Sequence, residues 1–363
     1  MKRIYSILIS FFLFQFLNAQ YEGYSEESWN DQLKIEESFF RNIDKTSFKK
    51  HLKKLTERPH VVGSEGNQEV IRYIGEVMQH AGMKVTNYPY DVYLPKNPGT
   101  SLIEIVTPYR DVLNQKEDII ENDPYTKDPE LWKGWNAFSG SGDVTAEVVY
   151  ANYGRKEDFE TLKSLGIDVN GKIVIARYGG NFRGYKAKFA EANGASGLII
   201  YTDPQDSGFT KGLVYPDGPY YNSSTIQRGS LLTTDFTGDP LTPFEPALPL
   251  DSKEKIERVD PKNAQLHTIP VSPIGYGEAE KILSQMNGDP VPQSWQGGLP
   301  FTYRLQGGSS LTVRLKVDQK IDFVRATNVI GMLKGSDAPD EWIILGCHLD
   351  SWGFGATDPS SGT

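Results

Sequence analysis

Residues 171–204 read GKIVIARYGGNFRGYKAKFAEANGASGLIIYTDP, and the class of fold can be inferred from them. The run Lys172–Arg177 is typical of a short buried strand, and Gly197–Tyr201 is a second run of the same kind. Between them, Tyr185–Asn193 has the spacing of a helix, which Gly194 ends. A strand, a helix and a strand in succession predict an α/β protein.

Two helices and a strand are predicted upstream of this stretch. Apolar residues at helical spacing predict a helix over Thr46–Arg58, which Pro59 ends. Ser64 is predicted to cap a second helix that ends at Gly82, and Lys84–Leu94 is predicted to be a strand. These apolar stripes are interpreted as packing faces.

Loop-rich sequence separates the regular elements. Five prolines between residues 95 and 130 indicate a domain boundary, so a new domain is expected to begin near residue 96. Residues 203–265 are dense in Gly, Pro, Asp and Ser, which predicts long surface loops.

Regular structure returns near the C-terminal end of the sequence. A helix is expected around residues 279–286, and strict alternation from Leu311 to Val317 predicts a half-buried strand. Two further apolar runs, Thr327–Leu333 and Glu341–Cys347, predict a hairpin whose second strand is buried. Cys347 is therefore expected to be a packing thiol, and His348 stands where that strand ends.

The charge balance excludes one class of function. The 363 residues contain 38 Lys and Arg against 47 Asp and Glu, which gives a net charge of -9. That is the wrong sign for a protein whose affinity comes from neutralising phosphates, so nucleic acid is not expected as a partner. With a single cysteine the chain can form no internal disulfide.

The first residues resemble a secretory signal peptide. Lys2 and Arg3 precede a mostly apolar run over Ile4–Phe14, and the small Ala19 stands before Gln20. We expect a cleaved signal over residues 1–19, because the run is shorter than the ~20 apolar residues that span a bilayer; an uncleaved anchor is the alternative. A secreted or periplasmic protein without a membrane span is therefore predicted. The absence of disulfides slightly favours a periplasm.

His348, Asp350 and Asp358 are the residues that suggest chemistry. Imidazole nitrogen and carboxylate oxygen are ligands of zinc in hydrolytic sites. Asp350, two residues after His348, points the same way on an extended chain and could accept the second imidazole N–H. A Gly-rich turn could bring Asp358 back toward His348. The bare pattern also fits a satisfied histidine beside turn-forming aspartates, and the other four histidines are expected to be structural or solvated.

Several long motifs resemble one family, the glutamate carboxypeptidase II and transferrin receptor branch of the zinc-dependent aminopeptidase-like peptidases. They occur in the same order and at similar spacing as in that branch, and they cover the chain from about residue 39 to residue 363. The matching segments are RPHVVGSEGN (58–67), the 171–204 stretch, YPDGPYYNSSTIQRGS (215–230), GDPLTP (238–243), IPVSPIGYGEAEKIL (269–283), TNVIGML (327–333) and ILGCHLDSWGFGATDPSSG (344–362).

The resemblance implies a zinc-exopeptidase α/β/α sandwich, incomplete in this chain, that is interrupted by an α+β protease-associated (PA) domain. The implied boundaries are residues 20–95 for the first part of the peptidase domain and 96–320 for the PA domain with its boundary loops. Residues 321–363 continue the peptidase domain through its first metal-binding segment.

The resemblance also assigns roles to single residues. In the family, the residue at the position of His348 binds one zinc and the residue at the position of Asp358 bridges two zincs. The aspartate at the position of Asp350 contacts a zinc ligand and does not bind the metal itself. Arg183 matches an arginine that contacts a substrate carboxylate, and Ser230 stands where the glutamate-specific member has asparagine. Thr242 and Glu245 match positions whose carbonyls bind a structural calcium, although Glu245 replaces a tyrosine.

The function implied is a zinc-dependent exopeptidase, a carboxypeptidase that releases a C-terminal residue, which can be acidic, from small peptides. The alternatives are a non-catalytic binding protein like the transferrin receptor, or an aminopeptidase of the same clan. The general base is expected beyond Thr363, so this chain alone is predicted to be inactive. A homodimer is possible in the full-length form of the family.

Overall fold

The computed structural model describes residues 23–128 and 131–353, so the predicted signal peptide and Asp358 lie outside the described residues. The chain divides into two compact units, residues 1–54 and residues 55–363. None of the described helices is both long and apolar enough to cross a bilayer.

Seven helices are described. In the first unit Ser25 caps the N-terminal helix through a reciprocal hydrogen-bond pair with Ser28. In the second unit Ser64 caps a helix as predicted, because its side chain accepts the Asn67 N–H at 3.1 Å. The helices are α1 Glu26–Arg41, α2 Lys45–Leu55, α3 Glu65–His80, α4 Lys156–Ser164, α5 Arg183–Ala192, α6 Pro204–Ser207 and α7 Tyr276–Leu283.

Thirteen strands are described. Most belong to a seven-stranded sheet in the second unit, and the others form three two-stranded pairs. The strands are β1 Lys84–Pro95, β2 Thr100–Thr107, β3 Asp111–Val112, β4 Asn136–Ala137, β5 Gly142–Tyr150, β6 Ile173–Arg177, β7 Gly197–Tyr201, β8 Gly229–Ser230, β9 Gly238–Asp239, β10 Thr242–Pro243, β11 Val271–Ile274, β12 Thr312–Asp318 and β13 Ile321–Met332.

The large sheet has the order β11-β7-β6-β5-β12-β2-β3. Neighbours from β11 to β5 run parallel, whereas β12 pairs antiparallel with both β5 and β2. Every residue of β6 and β7 is buried, because parallel strands covered on both faces need continuous apolar runs. In β12 alternate residues are buried, as predicted for a half-buried strand. The α/β prediction made from residues 171–204 is confirmed.

The antiparallel pair of β1 and β13 joins distant parts of the chain. The two strands pair antiparallel over twelve residues, from Lys84 opposite Met332 to Pro95 opposite Ile321. The segment 96–320 therefore begins and ends at adjacent positions of this strand pair, since Pro95 lies opposite Ile321. That is the connection expected of an inserted domain, although the exact boundaries at 95 and 320 stay a prediction.

The predicted buried strand over Glu341–Cys347 is wrong. No strand forms there, and Ile343 and Leu345 are 95 % and 94 % exposed. An apolar run becomes a strand only where a neighbour supplies hydrogen bonds and a layer covers its side chains. Within the described residues the segment has neither, and Cys347 is accordingly exposed instead of packed.

Lys186 is a fully buried lysine on α5. Its Nζ donates hydrogen bonds to the carbonyl oxygens of Tyr153 and Gly179, at 2.5 and 2.7 Å, and to Asn181 Oδ1 at 2.7 Å. Burial lowers the pKa of Lys186 to about 7. The bonds to Gly179 and Asn181 hold the turn that precedes Arg183, and the bond to Tyr153 ties that turn to the loop after β5.

Lys186 predicts how stability depends on pH. Its folded pKa of about 7 lies below the value of about 10.4 for an unfolded chain. Between these values the unfolded state binds more protons, so the free energy of unfolding should rise with pH. The three acceptors favour the ammonium and reduce this slope, and we expect a gain of about 1–2 kcal/mol from pH 7 to pH 9 in urea titrations.

The control for this prediction is Lys186→Met, which keeps the length of the side chain and removes the titrating group. This variant should be less stable by about 3 kcal/mol, because three buried acceptors lose their donor. Its stability should change less with pH than that of the wild type. An equal slope in both proteins would assign the pH dependence to another group.

Candidate functional site

One cavity of the second unit contains four of the predicted site residues, Ser230, Glu245, His348 and Asp350. The cavity has a volume of about 780 Å³. Strand β1, the turn after β9, strand β13 and the segment 347–352 form its walls. Its lining also includes Asn67, Tyr90, Tyr93, Phe138, Leu232, Asp239, Thr327, Asn328 and Trp352.

His348 and Asp350 lie beside one another on this cavity. Nδ1 of His348 is 3.6 Å from Oδ1 of Asp350, an ion-pair distance that is longer than a hydrogen bond. The imidazole is 89 % exposed, whereas the Asp350 side chain is 33 % exposed. Asp350 can therefore orient one ring nitrogen while the other stays accessible to a ligand.

These two residues do not complete a metal site within the described part of the chain. No group of three or more His, Cys, Asp or Glu able to hold a metal is found among residues 23–128 and 131–353. A catalytic zinc usually has three protein ligands. The predicted bridging ligand, Asp358, lies outside the described residues.

Backbone contacts fix the chain immediately after Asp350. The Ser351 N–H donates to the His60 carbonyl and the His60 N–H donates to Ser351 Oγ, both at 3.2 Å. Nε1–H of Trp135 donates to the Trp352 carbonyl at 2.7 Å. His60 is buried and its Nδ1 lies 2.9 Å from the Arg58 carbonyl oxygen, so the expectation of a structural histidine is confirmed.

Gly353 shows how closely this segment packs. Its φ of +124° lies in the region that favours glycine. A Cβ at this position would lie 3.3 Å from Nε of Arg228. Arg228 is fully buried and forms a double hydrogen bond with the Glu117 carboxylate, one arm of which measures 2.8 Å. The Arg228–Glu117 pair therefore leaves little room for a larger residue at position 353.

Arg183 and Ser230 are brought together. Nη1 of Arg183 donates to the Ser230 carbonyl at 3.4 Å, and a Cβ on Gly229 would lie 2.4 Å from the same nitrogen. Nε of Arg183 is buried without a hydrogen-bond partner. The Ser230 hydroxyl accepts the Leu232 N–H at 3.0 Å. Ser230 lines the cavity, whereas Arg183 is not among its lining residues.

Thr242 and Glu245 lie on a tight turn next to Gly238. A Cβ on Gly238 would lie 2.6 Å from the Thr242 carbonyl oxygen and 3.3 Å from that of Glu245, so both oxygens lie close to Gly238. The Thr242 carbonyl also accepts the Glu245 N–H at 3.2 Å. Asp239 holds the turn, because its carboxylate accepts the N–H groups of Tyr93 and Leu241 at 2.6 and 3.0 Å. Burial raises the pKa of Asp239.

Trp135 is the residue of this site that sequence reasoning missed. Its partner, Trp352, lies 217 positions away along the chain. No motif or spacing connects the two residues, and a buried tryptophan is by itself typical of a core. Its buried indole N–H, which needs an acceptor, was the only available signal.

Comparison with known proteins adds two matches to family models. A PA domain model matches residues 144–233, and a model described as Peptidase family M28 matches residues 328–363. The first match covers β5 to β8 of the structure. The second contains His348, Asp350 and Asp358.

Curated relatives match nearly the whole chain. A protein named "Glutamate carboxypeptidase 2 homolog" from Caenorhabditis briggsae is 34 % identical over 100 % of this chain and 50 % of its own length. "Aminopeptidase NAALADL1" from Rattus norvegicus is 32 % identical over 93 % of this chain and 47 % of its own length. The chain thus spans about half the length of these relatives.

Among solved structures, an aminopeptidase from Aneurinibacillus sp. strain AM-1 aligns with 18 % identity and a TM-score of 0.42, over 86 % of this chain and 54 % of the other. The sequence matches carry the assignment. The chain contains a match to the PA domain model and a match to the Peptidase family M28 model, and its relatives include proteins named glutamate carboxypeptidase 2 homolog and NAALADL1, as the resemblance to the glutamate carboxypeptidase II-like branch predicted.

Proposed function

We propose that the protein is a zinc-dependent exopeptidase, a carboxypeptidase that releases the C-terminal residue of small peptides. The observation that carries the proposal is the placement of His348, with Asp350 at 3.6 Å, on the same cavity as Ser230. A metal-ligating imidazole and a substrate-contacting residue would thereby face one volume large enough for a short peptide.

The residues that would hold zinc are His348 and Asp358, with two ions in the complete site. When bound, zinc polarises a carbonyl and lowers the pKa of bound water. Asp350 orients the His348 ring by attracting its Nδ1–H, which leaves Nε2 for the metal.

Arg183 and Ser230 are proposed to bind the C-terminal part of the substrate. A guanidinium presents a planar pair of donors to a carboxylate, which suits an acidic C-terminal residue. The buried Nε of Arg183 lacks a hydrogen-bond partner and the Nη1 bond to Ser230 is long, so the guanidinium has donor capacity to spare.

The turn at Thr242 and Glu245 is proposed to contribute carbonyl oxygens to a structural calcium. Calcium prefers oxygen ligands, including backbone carbonyls. The proximity of both oxygens to Gly238 supports this role. The Glu245 side chain is exposed and lines the cavity.

An aminopeptidase is the second candidate, and one observation favours it. The charged lining residues of the cavity are Asp239, Glu245 and Asp350, and no Lys or Arg is among the lining residues within the described part of the chain. Such a lining suits a free α-amino group better than a carboxylate.

The location of the protein is also proposed from the sequence, because the features of residues 1–19 support a secreted or periplasmic protein. Small peptides are its proposed substrates. A homodimer is the proposed form of the full-length protein.

Release of the terminal residue from matched peptides tests the function. The peptidase that contains this chain should, with zinc, release glutamate from acetyl-Asp-Glu, and a chelator should abolish turnover. The variant His348→Ala should lose at least about 1000-fold in kcat, because a ligand of the metal is removed.

The choice between the two candidates follows from the same assay. Faster cleavage of unblocked Asp-Glu than of its acetylated form would favour the aminopeptidase. Absence of zinc-dependent release from both peptides would contradict the proposed function.

Substitution of Arg183 tests the proposed substrate contact. Arg183→Lys should lower kcat/KM for peptides ending in glutamate by about 10–100-fold, because a bidentate charge-assisted contact is lost. Peptides ending in an apolar residue should be affected by less than about threefold. Lys188→Arg on the same helix is the matched control, since it exchanges the same two side chains, keeps the positive charge beside Asp235 and should leave both substrates unchanged. Equal losses on both substrates would contradict the contact.

A further inference from the structure

Few described contacts hold the segment that carries His348. Residues 341–349 form no strand, and the side chains of Ile343 and Leu345 are almost fully exposed. The described hydrogen bonds from this segment to the rest of the fold begin at Ser351, which exchanges two bonds of 3.2 Å with His60. The shortest bond to the segment is the one from Trp135 Nε1–H to the Trp352 carbonyl, at 2.7 Å.

Trp135 is itself fixed on several sides. It is 3 % exposed, and its ring contacts those of Trp132 and Trp352 edge to face, with centroids 5.8 and 5.6 Å away. The next residue, Asn136, begins β4, and its carbonyl accepts a bond from Gln319 Nε2 at 2.8 Å. A rigid anchor of this kind can transmit a position to the group it binds.

Strand β4 connects the same anchor to the proposed substrate residue. Asn136 and Ala137 pair in parallel with Gly229 and Ser230. Ala137, two residues after Trp135, is thus the strand partner of Ser230. The Trp135 indole is hydrogen-bonded to Trp352, which is two residues after Asp350.

We propose that Trp135 is a positioning residue that sets the distance between the metal-binding segment and the substrate-binding strand. The inference rests on the proposed function, which assigns metal binding to the segment with His348 and substrate binding to the strand with Ser230. The contact of Trp135 with Trp352 itself does not depend on metal or turnover. In this role Trp135 contacts the backbone at Trp352, four residues after the proposed metal ligand His348, through a single hydrogen bond.

Hydrogen exchange measured on the metal-free 363-residue protein tests this role. Trp135→Phe keeps an aromatic ring and removes the N–H donor. We expect exchange of the amides in residues 350–353 to become about tenfold faster, which corresponds to about 1.4 kcal/mol, while exchange in β6 and β7 stays unchanged. The indole N–H of Trp135 should also give a slowly exchanging NMR signal that this variant lacks.

Two further variants separate the hydrogen bond from aromatic packing. Trp132→Phe alters a ring that contacts Trp135 but forms no described side-chain bond to residues 351–353, and it should change their exchange by less than twofold. Replacement of Trp135 by 3-benzothienylalanine puts sulfur in place of the N–H in a ring of the same shape. It should reproduce the effect of Trp135→Phe.

Wild-type protection in the benzothienyl variant, or an equal effect of Trp132→Phe, would overturn the proposal. If the peptidase assay described above shows no zinc-dependent release while the exchange results are as expected, the proposed function fails and the positioning role stands.

Discussion

The pairing of β1 with β13 is the constraint on which the second unit depends. Twelve residues before position 96 lie opposite twelve residues after position 320, so the whole sequence between them must begin and end at one place. Loop closure of this size costs conformational entropy that the pairing and the buried core must offset. Asp91 on β1 reinforces the closure, because its carboxylate binds Arg325 on β13 and accepts the Leu250 N–H at 2.7 Å.

This closure also explains why the site has two origins. The turn at Gly238–Glu245 and the strand that carries Ser230 come from the sequence between the paired strands. His348 and Asp350 follow β13. The bond of Asp239 to the Tyr93 N–H joins the first group to β1, and the bond of Trp135 to Trp352 joins it to the second. A functional site made in this way depends on the contacts between two parts of the fold more than on either part alone.

Much of the fold could be predicted, because its signals are local. The strand, helix and strand of residues 171–204 and the Ser64 cap arise from neighbouring residues. The prediction of a strand over 341–347 was wrong for a non-local reason. A strand needs a hydrogen-bonding neighbour and side chains packed over it, and both are supplied by other segments of the chain. For the site, the resemblance to a family suggested Ser230 and His348, and the structure places both on one cavity. Trp135 could not be found, because its role is a single bond to a backbone atom 217 positions away.

The exposed run Trp342–Leu345 has a consequence for the behaviour of the protein in solution. These four residues are between 73 % and 95 % exposed, and they combine β-propensity with an absence of charge. In the described part of the chain β13 has β1 as its only strand neighbour, which leaves a second row of backbone groups unpaired. An apolar segment close in sequence to an open sheet edge favours association between copies. Concentrated preparations of the 363-residue chain should therefore aggregate first through this region.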